Sequence, residues 1–236
     1  MHKPPSEKRY GIVKGLIFDF NGTLYRDSEK HEKAWQLFAS KHLSRPISAT
    51  EFQEYIHGRT NQEAIEFIFK KKFSVSEANE VAAEKERIYR QLCLDDQEGL
   101  HLIEGATELL DNASRQQRSM TIATAAGKEN LDFYFSLFNL AKWFDYEKII
   151  YDNGQIKSKP SPDYYLQASR ILEKNPQDCI VFEDSLSGIL AARNAGIGNV
   201  VAIATNHNNA AFAHEGVDLV VDDYLDANLR AYLALF

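Results

Sequence analysis

The 236-residue chain has little that would tie it to a membrane, a nucleic acid or an oxidising compartment. Only two cysteines are present, Cys93 and Cys179, without metal-ligand spacing and in apolar or helical surroundings. Reduced, buried, inert thiols are expected, which suits a cytoplasmic protein. No run approaches the roughly 18 apolar residues of a membrane span. The opening MHKPPSEKRY has no apolar stretch of the signal-peptide kind, and residues 1–10 are expected to form a flexible tail. Basic residues make no stripe. The densest run is Lys70-Lys71-Lys72, which reads as a solvated helix end, and a net charge of −7 argues against a nucleic-acid partner. Internal repeats and low-complexity segments are absent as well. What is left is 44% apolar and 26% charged residues, the balance of a soluble globular chain with room for one large domain or one carrying an insertion.

Six short apolar, β-branched runs recur: VKGLIFDF, SMTIATA, EKIIYD, DCIVFED, VVAIAT and VDLVVDD. Helical patterns separate most of them, which implies a mainly parallel sheet covered on both faces. From Ser28 to about Asp96 the rhythm stops and only helical periodicity remains. A first helix is expected to start on a Ser28 cap, with Ala34, Leu37, Phe38 and Leu43 on a shared face. A second is expected to start near Ser48 or Thr50 and stop at Gly58. NQEAIEFIFKKKF and SEANEVAAEKERIYRQLCL complete roughly four helices. The expected architecture is α/β: a Rossmann-like three-layer core at 11–26 and 97–236, with an all-α cap domain inserted at 27–96.

The strand exits carry the chemistry. The first supplies Asp19, then Asn21, Gly22 and Thr23. The second ends in Thr124, Lys159 precedes a helix start, and a later strand ends in Glu183-Asp184. Each alone is an ordinary cap or surface residue; together, at successive strand exits, they form a phosphoryl-transfer set. Asp19, Asp184 and Glu183 offer hard oxygen ligands for Mg²⁺. Lys159 and the cation would let a phosphate approach a carboxylate nucleophile, with Thr124 and N–H groups around Gly22 and Thr23 on its oxygens. Attack by Asp19 would give an aspartyl-phosphate that water hydrolyses.

The motifs DFNGTL, TIATA, KSKPSPD and VFEDSLSG, over about residues 11–225, resemble those of the haloacid dehalogenase superfamily. The resemblance is to its branch with a helical cap between the first and second motifs, which includes phosphoglycolate phosphatase-like enzymes and β-phosphoglucomutase. It implies a hydrolase in which Asp19 is the nucleophile, Thr124 and Lys159 bind phosphate, and Ala125 lies beside the substrate. It also implies Mg²⁺ held by Asp19, the backbone carbonyl of Asn21 and Asp184, with Glu183 nearby or through water. The partner implied is a small phosphorylated metabolite, and the chain is expected to be a monomer.

One residue departs from the pattern. The family's phosphatases and mutases usually place an acid/base Asp where this chain has Asn21, and an amide has no proton to transfer. The change removes a function worth about 10²–10⁴ in rate while sparing nucleophile and metal. A phosphatase acting on a leaving group that needs little protonation, such as an acyl phosphate, is the favoured reading. His31 and His57 are candidate substitute acids by titration range alone, and both otherwise read as surface residues. The alternatives are a weak or inactive phosphate-binding protein, a mutase, a dehalogenase, and a phosphonate hydrolase using Lys30 or Lys33. Substrate choice is assigned to the cap, with Arg59 suited to a second phosphate or a carboxylate. Segments 22–27 and 98–102 are expected to act as hinges.

Overall fold

The computed structural model describes residues 14–43, 45–56, 59–204, 212 and 216–234; the N-terminal tail, His57 and the expected helix stop at Gly58 lie outside them. All six apolar runs form strands: β1 Gly15–Phe18, β2 Ser119–Gly127, β3 Ile150–Asp152, β4 Cys179–Glu183, β5 Asn199–Ile203 and β6 Leu219–Val221. They pair in parallel in the order β3-β2-β1-β4-β5-β6. Parallel neighbours need crossovers, which helices supply from β1 through β5, and one more helix follows β6. In chain order these are α1 (Ser28–His42), α2 (Ala49–Tyr55), α3 (Asn61–Phe69), α4 (Val75–Asp95), α5 (Ala106–Arg115), α6 (Lys128–Phe138), α7 (Asp163–Ile171), α8 (Leu186–Asn194) and α9 (Ala227–Leu233).

The strand pleat divides the core between two faces. Leu16, Phe18, Ile180, Phe182, Val201 and Ile203 pack on the side of α5, α6 and α9. Their neighbours Ile17, Val181, Val200 and Ala202 pack against α7 and α8. Because both faces are covered, β1 and β4 are buried at every position, which is why they read as unbroken apolar runs. The result is the α/β three-layer core with a helical cap that the sequence predicts.

Helices α1–α4 bury an apolar cluster of their own, built on Trp35, Phe38, Phe52, Ile65 and Ile68. Their starts follow local chemistry: Ser48 and Ser74 form capping boxes with Glu51 and Glu77, and Thr60 caps α3. Two expectations for α1 need correction. Its buried stripe is Ala34, Trp35, Phe38 and Ala39, while Leu37 is 42% exposed. Trp35 takes the inward place because 34/38 and 35/39 are stacked pairs one turn apart, and Leu37 falls off that face. The residue at the N-cap position is Asp27, one before Ser28, and its side chain makes no cap bond. Where that carboxylate goes instead is central to the site.

The two segments joining α1–α4 to the sheet run side by side. Tyr25 bridges to Leu102, and the Ile103 N–H donates to the Leu24 carbonyl at 2.9 Å. Both cysteines are free and buried, and burial pushes each thiol up to about 11. Among the described residues, no helix is long and apolar enough to cross a membrane.

Candidate active site

The chain builds β1, β2 and β3 outward, then returns as β4 on the opposite flank of β1. The carboxyl ends of β1 and β4 therefore border the point where strand order reverses, the usual crevice for ligands in such sheets. Asp19 follows β1, and its N–H donates to the Phe182 carbonyl at 3.0 Å, extending the register one residue past the strand. That places Asp19 alongside Glu183, the last residue of β4.

Lys159 joins the two acids. Its ammonium, 1% exposed, donates to Asp19 Oδ1 at 2.7 Å, Glu183 Oε1 at 2.6 Å and the Ala123 carbonyl at 3.3 Å, one acceptor for each N–H. Burial alone would push its proton off, but the carboxylates of Asp19 and Glu183 outweigh that and hold it above the usual lysine range. Glu183 is filled. Oε1 also accepts from Tyr165 Oη at 2.8 Å, and Oε2 accepts from the N–H groups of Asp184 and Ser185 and from Ser185 Oγ. Gly188 leaves room for it, since a Cβ there would stand 1.7 Å from Glu183 Oε1. Burial raises Glu183, yet Lys159 and these hydrogen bonds hold it below its ordinary value. Glu183, expected near the metal or joined to it through water, lines the site cavity with both oxygens bonded to Lys159, Tyr165 and the β4–α8 turn.

Asp19 and Asp184 are different. Asp19 is pushed up to about 7 by burial and by Glu183, against the pull of Lys159. Asp184 is raised well above the carboxylate range by burial, then by Glu183 and Asp19. Its Oδ1 accepts from Thr23 Oγ1 at 3.3 Å. Three carboxylates thus face one ammonium, and a divalent cation would offset the excess. Among the described residues, no three His, Cys, Asp or Glu side chains converge as a metal cage. The available donors are two carboxylates, Asp19 and Asp184, with backbone oxygen. Few carboxylates and hard oxygens fit Mg²⁺, which keeps several waters.

The turn after β1 corrects a second expectation. Gly22 has φ +74, and a Cβ there would lie 1.9 Å from Asp184 Oδ2, so only glycine admits the acid. Its N–H, expected on a phosphoryl oxygen, donates instead to the Tyr25 carbonyl at 2.8 Å and Asp27 Oδ1 at 3.0 Å. The Thr23 N–H donates to the Phe20 carbonyl at 3.2 Å. Both donors serve the turn itself. Thr124, buried at the end of the β2 core, accepts from the Ala126 N–H at 3.1 Å and donates to Asn21 Oδ1 at a long 3.4 Å.

Asn21 is held from the other side by His31 and by Asp27, Tyr89 and Tyr134, three groups that sequence reasoning missed. Its Nδ2 donates to Asp27 Oδ2 at 2.6 Å and Tyr134 Oη at 2.8 Å, with His31 Nε2 at 3.2 Å. Tyr134 Oη donates to Tyr89 Oη at 3.0 Å, and Tyr89 Oη donates to Asp27 Oδ2. Burial pushes Asp27 up to about 6, against the hydrogen bonds from Tyr89, Asn21 and Gly22. His31 stacks on Tyr89 with ring centres 3.7 Å apart, and so lies on the site wall rather than the outer surface.

A cavity of about 120 Å³ lies between the sheet and the cap, lined by Asp19, Asn21, Thr124, Ala125, Lys159 and Asp184 on the core side. Arg59, His31, Trp35, Asn61, Lys85 and Glu86 line it from the cap. Arg59 Nη1 donates to the Lys159 carbonyl at 2.9 Å, a bond between the segment before α3 and the segment before α7. The cap lysine that reaches the cavity is Lys85, 2% exposed and 2.6 Å from Glu86. Lys30 pairs with Asp96 and Lys33 is exposed, so neither expected lysine lies there. Glu86 also accepts from Asn61 at 2.8 Å and Asn130 at 2.6 Å. Burial would raise it, but Lys85 and His31 outweigh that and hold it at about 2.

Comparison with known proteins identifies the family. A family model described as haloacid dehalogenase-like hydrolase matches residues 13–196. The chain is 28% identical over 226 residues to the beta-phosphoglucomutase of Bacillus subtilis (strain 168), covering 92% of this chain and 93% of that protein. It is 28% identical over 190 residues to hexitol phosphatase A of Escherichia coli (strain K12), covering 80% and 82%. Among solved structures, a HAD hydrolase of family IA, variant 3, from Entamoeba histolytica HM-1:IMSS superposes with a TM-score of 0.79 at 33% identity, covering 93% of this chain and 98% of that one.

Proposed function

The chain belongs to the haloacid dehalogenase-like hydrolase family, and from that premise we propose that it is a Mg²⁺-dependent phosphatase of a small phosphorylated metabolite, working through an aspartyl-phosphate on Asp19. The observation that carries the reading is the placement of Asp19 at the switch point, 2.7 Å from Lys159 and sharing one cavity with Thr124 and Asp184. An Asp19 oxygen attacks phosphorus, the bond to the leaving oxygen breaks, and water then cleaves the acyl phosphate. Lys159 and the Thr124 hydroxyl, which line the same cavity, would turn from their present acceptors to the phosphoryl oxygens, on which charge is spread in the transition state. Asp19, Asp184 and the Asn21 carbonyl would hold Mg²⁺, which supplies positive charge to the transferring group. Asn21 donates no proton, so acyl phosphates, whose leaving group is a weak base, are the preferred substrates over alkyl esters. The reading takes residues 27–96 as a cap, hinged at 22–27 and 98–102, over a core of 11–26 and 97–236. It describes a monomer of the cytoplasm, and the separate apolar cluster of α1–α4 supports the division.

The test is phosphate release from a panel of acyl and alkyl phosphates, with Mg²⁺ or with chelator, in the native protein and Asp19→Asn. Mg²⁺-dependent release that disappears in Asp19→Asn, and favours acyl phosphates by about 10²-fold or more, is the expected result. Undiminished release by Asp19→Asn refutes the reading. Transfer to a second substrate hydroxyl without free phosphate would move it to a mutase, in line with the beta-phosphoglucomutase relative.

A further inference from the structure

Helix α4 of the cap meets helix α6 of the core through hydrogen bonds. Asn130, in the first turn of α6 and 3% exposed, has its amide between two α4 side chains that stand one turn apart. Its Nδ2 donates to Glu86 Oε2 at 2.6 Å, and its Oδ1 accepts from Arg90 Nη1 at 2.9 Å. The amide has one orientation here, because a carboxylate only accepts and a guanidinium only donates. On its other oxygen, Glu86 accepts from Asn61 Nδ2 of α3 at 2.8 Å and lies 2.6 Å from the Lys85 ammonium. Lys85 in turn stands 4.7 Å over the Trp35 ring. Trp35, Asn61, Lys85, Glu86 and Asn130 all line the cavity. One core amide thus fixes the carboxylate that holds a buried lysine on the cavity wall.

Resting on the cap–core division of the reading above, we infer that Asn130 is a positioning residue: its amide docks α4 on α6 and so sets Lys85 and Glu86 against the cavity. The α4 side chains are suited to being docked and released. Glu86 and Arg90 stand at i and i+4 with the acid first, the favourable order for an ion pair along one helix. With the cap lifted they would satisfy each other. With it closed, Asn130 gives a donor to Glu86 and an acceptor to Arg90. Neither charge is left without a partner in either state, which keeps the two states close in energy. An apolar side chain at 130 has nothing to offer either group, so it penalises the closed state alone. The role belongs to the pattern of donor and acceptor, and exchanging amide and carboxylate between 86 and 130 keeps that pattern. In Glu86→Gln with Asn130→Asp, the new amide at 86 donates to the new carboxylate at 130. Its carbonyl still accepts from Lys85 and Asn61, and the carboxylate at 130 still accepts from Arg90.

The experiment reads acrylamide quenching of Trp35 in the full-length protein without substrate. The other tryptophan, Trp143, lies outside the cavity with its ring N–H bonded to Asp111, and Trp143→Phe in every sample leaves Trp35 as the reporter. Trp35 is 3% exposed with the cap closed, and its cavity face meets solvent when the cap lifts. Asn130→Ala and Glu86→Gln should each raise the quenching slope about threefold or more, as the closed population falls. The exchanged Glu86→Gln/Asn130→Asp should return it to within about 1.5-fold of native, a rescue that a merely structural role for either residue does not predict. An unchanged slope in Asn130→Ala, or an exchanged variant no nearer native than Glu86→Gln alone, overturns the inference. Where a single variant does not fold, the exchanged one decides: a native slope supports the docking role, and a raised slope or failure to fold overturns it. The result does not depend on turnover. Undiminished phosphate release by Asp19→Asn would remove the phosphatase reading and leave the docking role standing, and a failed exchange would leave that reading untouched.

Discussion

Replacing Lys159 by methionine keeps its volume and removes its charge, leaving Asp19, Glu183 and Asp184 facing one another. Lys159 sits 2.7 Å from Asp19 and 2.6 Å from Glu183 with almost no solvent contact. Breaking a buried ion pair by removing one partner costs about 3–5 kcal/mol. At about 2–4 °C per kcal/mol for a domain of this size, the melting temperature should fall by roughly 6–20 °C. The loss should also depend on pH in a definite sense. Lys159 holds Glu183 below its ordinary value and limits the rise of Asp19 to about 7. Without it, both folded-state values move up, so the folded variant binds protons that the unfolded chain releases, and its stability falls as pH rises. The deficit against native protein should therefore widen from about pH 5 to about pH 8. Calorimetric melting of both proteins in chelator at the two pH values measures it, and excess Mg²⁺ should return part of the loss by mass action. A deficit below about 2 °C at the higher pH, or one unchanged between the two, would refute the account of Lys159 as the charge that holds the acids together.

Three further outcomes follow from the same geometry. Glu86→Gln leaves Lys85 buried beside an uncharged partner and should cost about 3–5 kcal/mol. Because Glu86 sits at about 2, its contribution is fully present above the unfolded carboxylate range and lost only as pH falls through that low value, so this deficit should be equal at neutral and mildly alkaline pH. Gly22→Ala forces a side chain into a φ of +74 and against Asp184. A Mg²⁺ titration of its activity should show a requirement about 10–100-fold higher, and an unchanged requirement would argue against Asp184 as a ligand. Arg59→Ala removes the bond to the Lys159 carbonyl and a charged donor from the cavity wall. KM for the physiological substrate should rise about tenfold or more while a small aryl phosphate is spared, and equal effects on both would remove Arg59 from substrate selection.

The six strands were legible because burial on both faces leaves a signature that survives without neighbours: β1 is Gly-Leu-Ile-Phe and β4 Cys-Ile-Val-Phe-Glu, each bounded by turn residues. Asp19, Lys159 and the Glu183-Asp184 pair were legible because each marks a strand exit or helix start, whereas Thr124, expected to end the second strand, lies three residues inside β2 where its register against β3 shifts. On the cap side Arg59 and His31 were legible, and the rest was not. Lys85, Glu86 and Tyr89 lie within Glu-Lys-Glu-Arg-Ile-Tyr-Arg, a charged stretch of α4 that reads as a solvated helix face. Only its closure over the sheet makes that stripe an inner wall, with Glu86 bonded to Asn130 of α6. Gly22 and Thr23 misled for a related reason: a turn this tight consumes its own N–H groups, and no spacing in DFNGTL shows it.

Asp27 shows how far the same limit reaches. An acid immediately before a helix is read as a cap because local hydrogen bonding is the commonest use of such a residue. What overrides the local choice is the partner set around it: Tyr89 from 62 residues downstream, and the Asn21 amide six residues upstream. Three donors aimed at one buried carboxylate outweigh a cap worth about 1 kcal/mol. The asparagine that looked in sequence like a lost proton donor gives its two Nδ2 hydrogens to Asp27 and Tyr134.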